Sequence, residues 1–250
     1  MSGLRGLGTK GGGTRGSGRK GRGVRGSGAG SADEGNSGGH PARRLVQLYV
    51  GLLLYGASAG LMVAGGLGLA PWDVFHQGLS QHTGLSIGTV SIIAGAAVLL
   101  LWWPMRQRPG LGTVSNVFLI GVSMDATLWL LPELRALAVR VPLLVGAVVL
   151  NGLATGLYIA ARFGAGPRDG LMTGLHKVTG RSIRLLRTGI ELTVLATGML
   201  LGGSAGAGTV LYALAIGPLS QFFLRLFAPA QGGTSRVVAR GPAQRAILRR

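Results

Sequence analysis

No cysteine occurs in the chain, which excludes a disulfide framework, thiolate metal ligands and a cysteine nucleophile. Acidic residues are nearly as scarce, with seven Asp and Glu in 250 residues, so carboxylate clusters have few positions from which to form. Charged residues of either sign make up only 13%, against about 25% in a soluble domain. Most of the chain therefore does not face water. Of the four histidines, His76 and His82 are six residues apart, on different faces of a helix, and no third ligand stands nearby. No Ser/His/Asp constellation is placed for catalysis, and the glycine-rich start lacks the Gly-Lys-Ser/Thr ending of a phosphate loop. The chain reads as neither an enzyme nor a cofactor or metal protein.

What is abundant is glycine, 47 residues, and arginine, which outnumbers lysine 22 to 3 and carries the formal charge to +18. A Gly-, Ala-, Leu- and Arg-rich chain fits a GC-rich bacterial genome, so the charge by itself does not indicate nucleic acid. Residues 1–40 are mostly Gly, Ser, Arg and Lys, with no apolar run, and are expected to be disordered. They lack the aromatic residues that stack on bases, and they lack the layout of a signal peptide. Attraction to anionic headgroups, about 1 kcal/mol per basic residue, is one reading of this tail. A passive tail, or translated upstream sequence, is the favoured one. No specific nucleic-acid partner is expected.

From residue 45 the chain turns apolar, and the lipid bilayer becomes its expected partner. Spans are expected at 45–66, 86–105, 111–131, 141–161, 183–203 and 207–227, each near the ~20 residues that cross the hydrocarbon. With the N-terminus inside, cytoplasmic segments hold 23 Lys and Arg and external loops only Arg135 and Arg140. Without residues 1–40 the bias is still 16 to 2. The positive-inside rule then predicts a multi-pass protein of the bacterial inner membrane with both termini cytoplasmic. Trp102, Trp103 and Trp129 fall near span ends, as interfacial anchors do.

The chain also repeats itself at an offset of 96 residues. Gly68-Leu69-Ala70-Pro71-Trp72-Asp73 parallels Gly164-Ala165-Gly166-Pro167-Arg168-Asp169, and Thr83-Gly84 and Ser86-Ile87 parallel Thr179-Gly180 and Ser182-Ile183. Laying 45–131 on 141–227 without a gap gives 25 identities in 87 positions, where composition alone predicts roughly ten. Each copy holds three spans, an odd number, so the second copy enters from the opposite side. The expected fold is an all-α membrane protein: six transmembrane helices as two inverted three-helix repeats, 41–131 and 132–228, with short interspan helices. A basic cytoplasmic tail follows at 229–250. Such inverted repeats are common in secondary transporters.

Several residues stand out within this frame. Gly56, Gly60, Gly152 and Gly156 form matched Gly-x-x-x-Gly steps that let backbones approach; packing inside the bundle is favoured, and an oligomer is a second use. Pro71 and Pro167 suit the first position of a helix, with Asp73 and Asp169 in its first turn, so 71–82 and 167–178 read as short helices. They are either re-entrant half-helices converging on a central site or surface helices on opposite faces. Asp125, its repeat partner Gln221, Glu191 and Asn116 lie inside spans, where polar groups mark solute or proton pathways. Arg187, one turn from Glu191, is expected to pair with it. Asp125 lacks such a neighbour and is expected to protonate or to pair across the bundle with Arg187 or Asn116.

The run Pro71-Trp72-Asp73-Val74-Phe75-His76-Gln77-Gly78-Leu79, with Thr83-Gly84-Leu85-Ser86-Ile87-Gly88, resembles the YczE/YitT group of bacterial integral membrane proteins. Leu201-Gly202-Gly203, Gly206, Gly208-Thr209 and Ile216-Gly217-Pro218 resemble it as well. The likeness covers about 45–227. It implies a multi-spanning inner-membrane protein, a group often assigned to transport without an agreed substrate, and it carries over no catalytic residues. The expected function is movement of a small solute or proton through a midplane site, with Asp73, Asp125, Asp169, Glu191, Gln221 and Asn116 as pathway candidates. The alternative is a membrane scaffold or accessory protein that binds a partner without transport.

Overall fold

A computed structural model of the protein describes residues 41–227. The expected disordered tail at 1–40 and basic tail at 229–250 lie outside the described residues. All regular structure described is helical: α1 (Pro41–Gly65), α2 (Pro71–Thr83), α3 (Ile87–Trp102), α4 (Leu111–Leu130), α5 (Leu137–Ala160), α6 (Pro167–Thr179), α7 (Ile183–Leu200) and α8 (Ala207–Phe227). The helix starts at 41, 71, 87 and 111 recur at 137, 167, 183 and 207, each 96 residues on. α1, α4, α5 and α8 are long and apolar enough to cross a membrane, and α2 and α3 are apolar enough together but meet at a 112° bend, the shape of a broken span or a re-entrant loop. α7 carries Arg184, Arg187 and Glu191 within 18 residues, a charge density that sets it apart from the other long helices.

The repeat extends to backbone conformation. All described residues with left-handed φ fall into four pairs at the same offset: Gly66 with Arg162, Gly68 with Gly164, Gly84 with Gly180, and Arg106 with Gly202. Gly84 and Gly180 end α2 and α6 in this conformation, which costs glycine nothing because it lacks Cβ. Ser86 and Ser182 then restart the chain as N-caps of α3 and α7.

α1 and α5 form the centre and run antiparallel. Arg44, near the start of α1, donates to Ala161 O beyond the end of α5 at 3.0 Å. Its repeat partner Arg140, near the start of α5, donates to Gly65 O at the end of α1 at 2.6 Å. Each arginine thus satisfies carbonyls that a helix end leaves unpaired. The matched glycines work within each half: Gly56 and Gly60 bring α1 onto Ile120, Met124 and Thr127 of α4, and Gly152 and Gly156 bring α5 onto Leu219 and Phe223 of α8. Gly152→Ala is expected to lower thermal stability in detergent by about 1 kcal/mol, because a Cβ there meets Leu219 Cβ. Gly146→Ala, with open space around the site, should gain about as much from helix propensity. Equal shifts in melting would refute the packing role.

The short helices cross between the halves. α2 lies on α7, with Gly78 against Leu201 and Gly198 against Phe75. α6 lies on α3, with Gly170 against the Trp102 indole. This corrects one expectation: Trp102 is no interfacial anchor but is buried, with Nε1 donating to Pro167 O at 3.1 Å. Trp103 and Trp129 remain exposed, at 87% and 85%. Reciprocal backbone bonds complete the exchange, from Gly112 N to Phe163 O at 2.9 Å and from its partner Gly208 N to Leu67 O at 2.8 Å.

Candidate functional site

The starts of α2 and α6 open into one cavity of about 520 Å³. Ala70, Pro71 and Trp72 contribute from the first half, and Gly166, Pro167, Arg168 and Asp169 from the second. Trp72 and Arg168 occupy equivalent repeat positions, and the Arg168 guanidinium sits 4.6 Å above the Trp72 ring. Equivalent positions can touch only where the two halves meet, so the cavity lies at the junction of the repeats. It also takes in the start of α4 (Asn116, Val117), the end of α5 (Thr155, Tyr158), the first half of α7 (Arg187, Glu191) and the end of α8 (Ser220, Gln221). Tyr55, Ile120 and Glu191 lie near the middle of α1, α4 and α7, so the cavity reaches from the centre of the bundle toward the end these segments share.

The cavity's polar groups are partly paired. Tyr158 Oη donates to Asp169 Oδ2 at 3.3 Å, and Arg187 Nε donates to Glu191 Oε1 at 3.1 Å. Tyr212 Oη donates to Asn151 Oδ1 at 3.2 Å, and Asn151 Nδ2 donates to the Ser58 hydroxyl at 2.7 Å, tying α8, α5 and α1 together. His76, 1% exposed, lies with Nδ1 3.3 Å from Asp73 Oδ1, but off the line of a hydrogen bond, so that nitrogen is unsatisfied. The Trp72 indole N–H is also without an acceptor. Arg168 forms no ion pair among the described residues.

The sequence candidates separate cleanly. Asp169, Glu191, Gln221 and Asn116 line the cavity. Asp73 is buried beside His76 and is not on the cavity wall. Asp125 is not on the wall and pairs with neither Arg187 nor Asn116. Its Oδ1 accepts from Gly88 N at 2.8 Å and its Oδ2 from the Ser86 hydroxyl at 2.5 Å. It therefore caps the start of α3, where first-turn amides lack intrahelical acceptors. Sequence reasoning missed Tyr55, Tyr158 and Tyr212. A signal was present: Tyr55 and Tyr212 stand opposite Asn151 and Asn116 at the repeat offset, four polar residues exchanged within apolar helices. Among the described residues no three His, Asp or Glu gather as a metal would require.

The halves differ at one contact. Gly88 of α3 sits against the Gly121 carbonyl of α4 and the Asp125 carboxyl, with no room for a Cβ. The equivalent contact between α7 and α8 is absent. Arg184 stands where Gly88 does, Gln221 where Asp125 does, and Gly217, the partner of Gly121, has nothing within 4 Å of its Cβ position. On this parted side Gly217, Ser220 and Gln221 form part of the cavity wall.

The family model described as a family of unknown function, DUF6198, matches residues 42–225. A Haemophilus influenzae protein named only as uncharacterized is 40% identical over 181 residues, 72% of this chain and 83% of its own. The Bacillus subtilis uncharacterized membrane protein YczE is 38% identical over 178 residues, 70% of this chain and 83% of its own. The B. subtilis protein YyaS is 26% identical over 179 residues. The resemblance read from the sequence is thus borne out for YczE. No solved structure matches.

Proposed function

We propose that this chain, which belongs to the DUF6198 family of unknown function, is a six-span inner-membrane transporter that passes a small solute through the cavity where its inverted repeats meet. The observation that carries the proposal is the contact of Trp72 with its own repeat partner Arg168 at the mouths of α2 and α6. Broken helices whose starts converge near the midplane form the substrate sites of several inverted-repeat transporters, and non-helical backbone at membrane depth is tolerated where it lines a cavity. The antiparallel α1–α5 pair and the reciprocal Arg44 and Arg140 bonds support the inversion. In this reading α3 and α7 complete the six spans, and α2 and α6 are re-entrant. With the positive-inside orientation, the cavity opens to the cytoplasm, and the Asp125 contact closes the external end.

Transport requires the two ends to open in turn. In this cysteine-free chain, Gln221→Cys is expected to react with a membrane-impermeant thiol reagent from the cytoplasmic face. Val90→Cys, buried in the first turn of α3, should react slowly and from the external face alone. Reporter fusions after residue 250 should be cytoplasmic and those within 132–140 periplasmic. An external C-terminus would remove the inverted arrangement. Failure of both cysteines to react from either side would favour a closed scaffold over a transporter.

A further inference from the structure

We propose that the cavity binds a small organic acid as its monoanion, with the carboxylate held by Arg168 and the open first-turn amides of α2 and α6. The proposal rests on the cavity being the substrate site. It starts from a surplus of donors. Arg168 and Asp169 are adjacent in sequence, yet their side chains part: Asp169 goes to Tyr158, and the Arg168 guanidinium sits over the Trp72 ring. The N–H fork of a guanidinium matches a carboxylate in two parallel bonds. None of those N–H groups has an acceptor among the described residues.

Pro71 and Pro167 begin their helices without an amide, and the next ones, on Trp72 and Arg168, find no backbone acceptor. The Trp72 Nε1 is also without an acceptor but is closed off from the cavity. Among the described residues the Arg168 cation has no anion paired with it. The cavity's own carboxylates do not fill the role, because Asp169 is held by Tyr158 and Glu191 by Arg187. Those two carboxylates also repel multiply charged anions, which favours a monoanion over a phosphate dianion. Val98, Val117, Ile120 and Met172 offer an apolar wall for the body of the molecule.

The test uses the full chain in detergent and three probes of one shape: benzoate, benzamide and benzylammonium. Benzoate is expected to raise the melting temperature saturably and to bind at least about 10-fold more tightly than benzamide, the difference of one charge-assisted contact. Arg168→Gln should weaken benzoate by about 10- to 100-fold while leaving benzamide unchanged, and Arg168→Lys should recover part of the loss. Unchanged benzamide binding guards against misfolding of the arginine variants. Preference for benzylammonium, equal affinity for benzoate and benzamide, indifference to Arg168→Gln, or no binding of any probe would each overturn the proposal. Thiol labelling decides transport independently. Benzoate binding with no labelling from either side would keep the acid site and sink the transporter, and normal labelling with no benzoate binding would do the reverse.

Discussion

Gly88→Arg is expected to force α3 off α4 and to destabilise the protein by about 3 kcal/mol or more, the upper range for overpacking against backbone. The glycine faces the Gly121 carbonyl and the Asp125 carboxyl, and no side chain fits between them. The substitution places in the first half the residue that already stands at the equivalent position 184 in the second. If the α3–α4 contact closes the external end, the folded fraction should also expose Val90→Cys, buried in the intact protein, to reagent from outside. The reciprocal change, Arg184→Gly, removes the bulk that stands where α7 would approach Gly217. It should reduce labelling of Gln221→Cys from the cytoplasmic side at little cost in stability, since Arg184 is exposed. Unchanged melting of Gly88→Arg would show that the helices separate freely and that the glycine is incidental. Unchanged labelling in both variants would show that helix separation does not control access.

Asp125→Asn is expected to lower stability by about 1.5–3 kcal/mol, the range for hydrogen bonds to a charged group. Both carboxylate oxygens are used, one by Gly88 N and one by the Ser86 hydroxyl, and an amide can accept from only one of the two donors. The Ser86 hydroxyl must then turn to accept from the NH₂ group, and both charge-assisted bonds become neutral ones. This ranking reverses the sequence-based expectation, in which an ionisable group inside a span lines the solute path and its neutral isostere folds normally while losing transport. A helix cap answers the same cost of burial with a structural role. The check is the melting curve of Asp125→Asn beside that of Glu191→Gln, which leaves Arg187 without its acceptor in a half-exposed setting where ion pairs contribute less. A larger loss for Glu191→Gln would contradict the ranking.

Much of this architecture was legible in the residues. The 96-residue repeat, read from Pro-x-Asp, Thr-Gly and Ser-Ile pairs, reappears as helix starts at one offset and as paired left-handed backbone positions. Those signals are local: proline presets φ at a helix start, glycine permits the αL cap, serine accepts from a first-turn amide. The Arg187–Glu191 pair was legible for the same reason, since i,i+4 spacing fixes the contact by helix geometry alone. Trp102 was misread because an indole near a span end looks alike whether it meets lipid or the glycine of a crossing helix. Only Gly170, 68 residues away in sequence, distinguishes the two.

The sequence by itself therefore determined that this is an all-helical, membrane-embedded chain built twice over, because hydrophobic length, helix termini and a duplication are properties of neighbouring residues. The tertiary structure alone decided that α2 and α6 converge, that Trp72 stacks on Arg168, and that Asp125 caps α3 instead of lining the cavity. It also decided that the two halves differ in shape despite their shared pattern. At one contact the difference is plain: a glycine at 88 lets two helix backbones close, and an arginine holds the equivalent position 184, where Gly217 has no such neighbour. Which residue a side chain meets across a bundle depends on crossing geometry between segments tens of residues apart, and no periodicity within either segment records it.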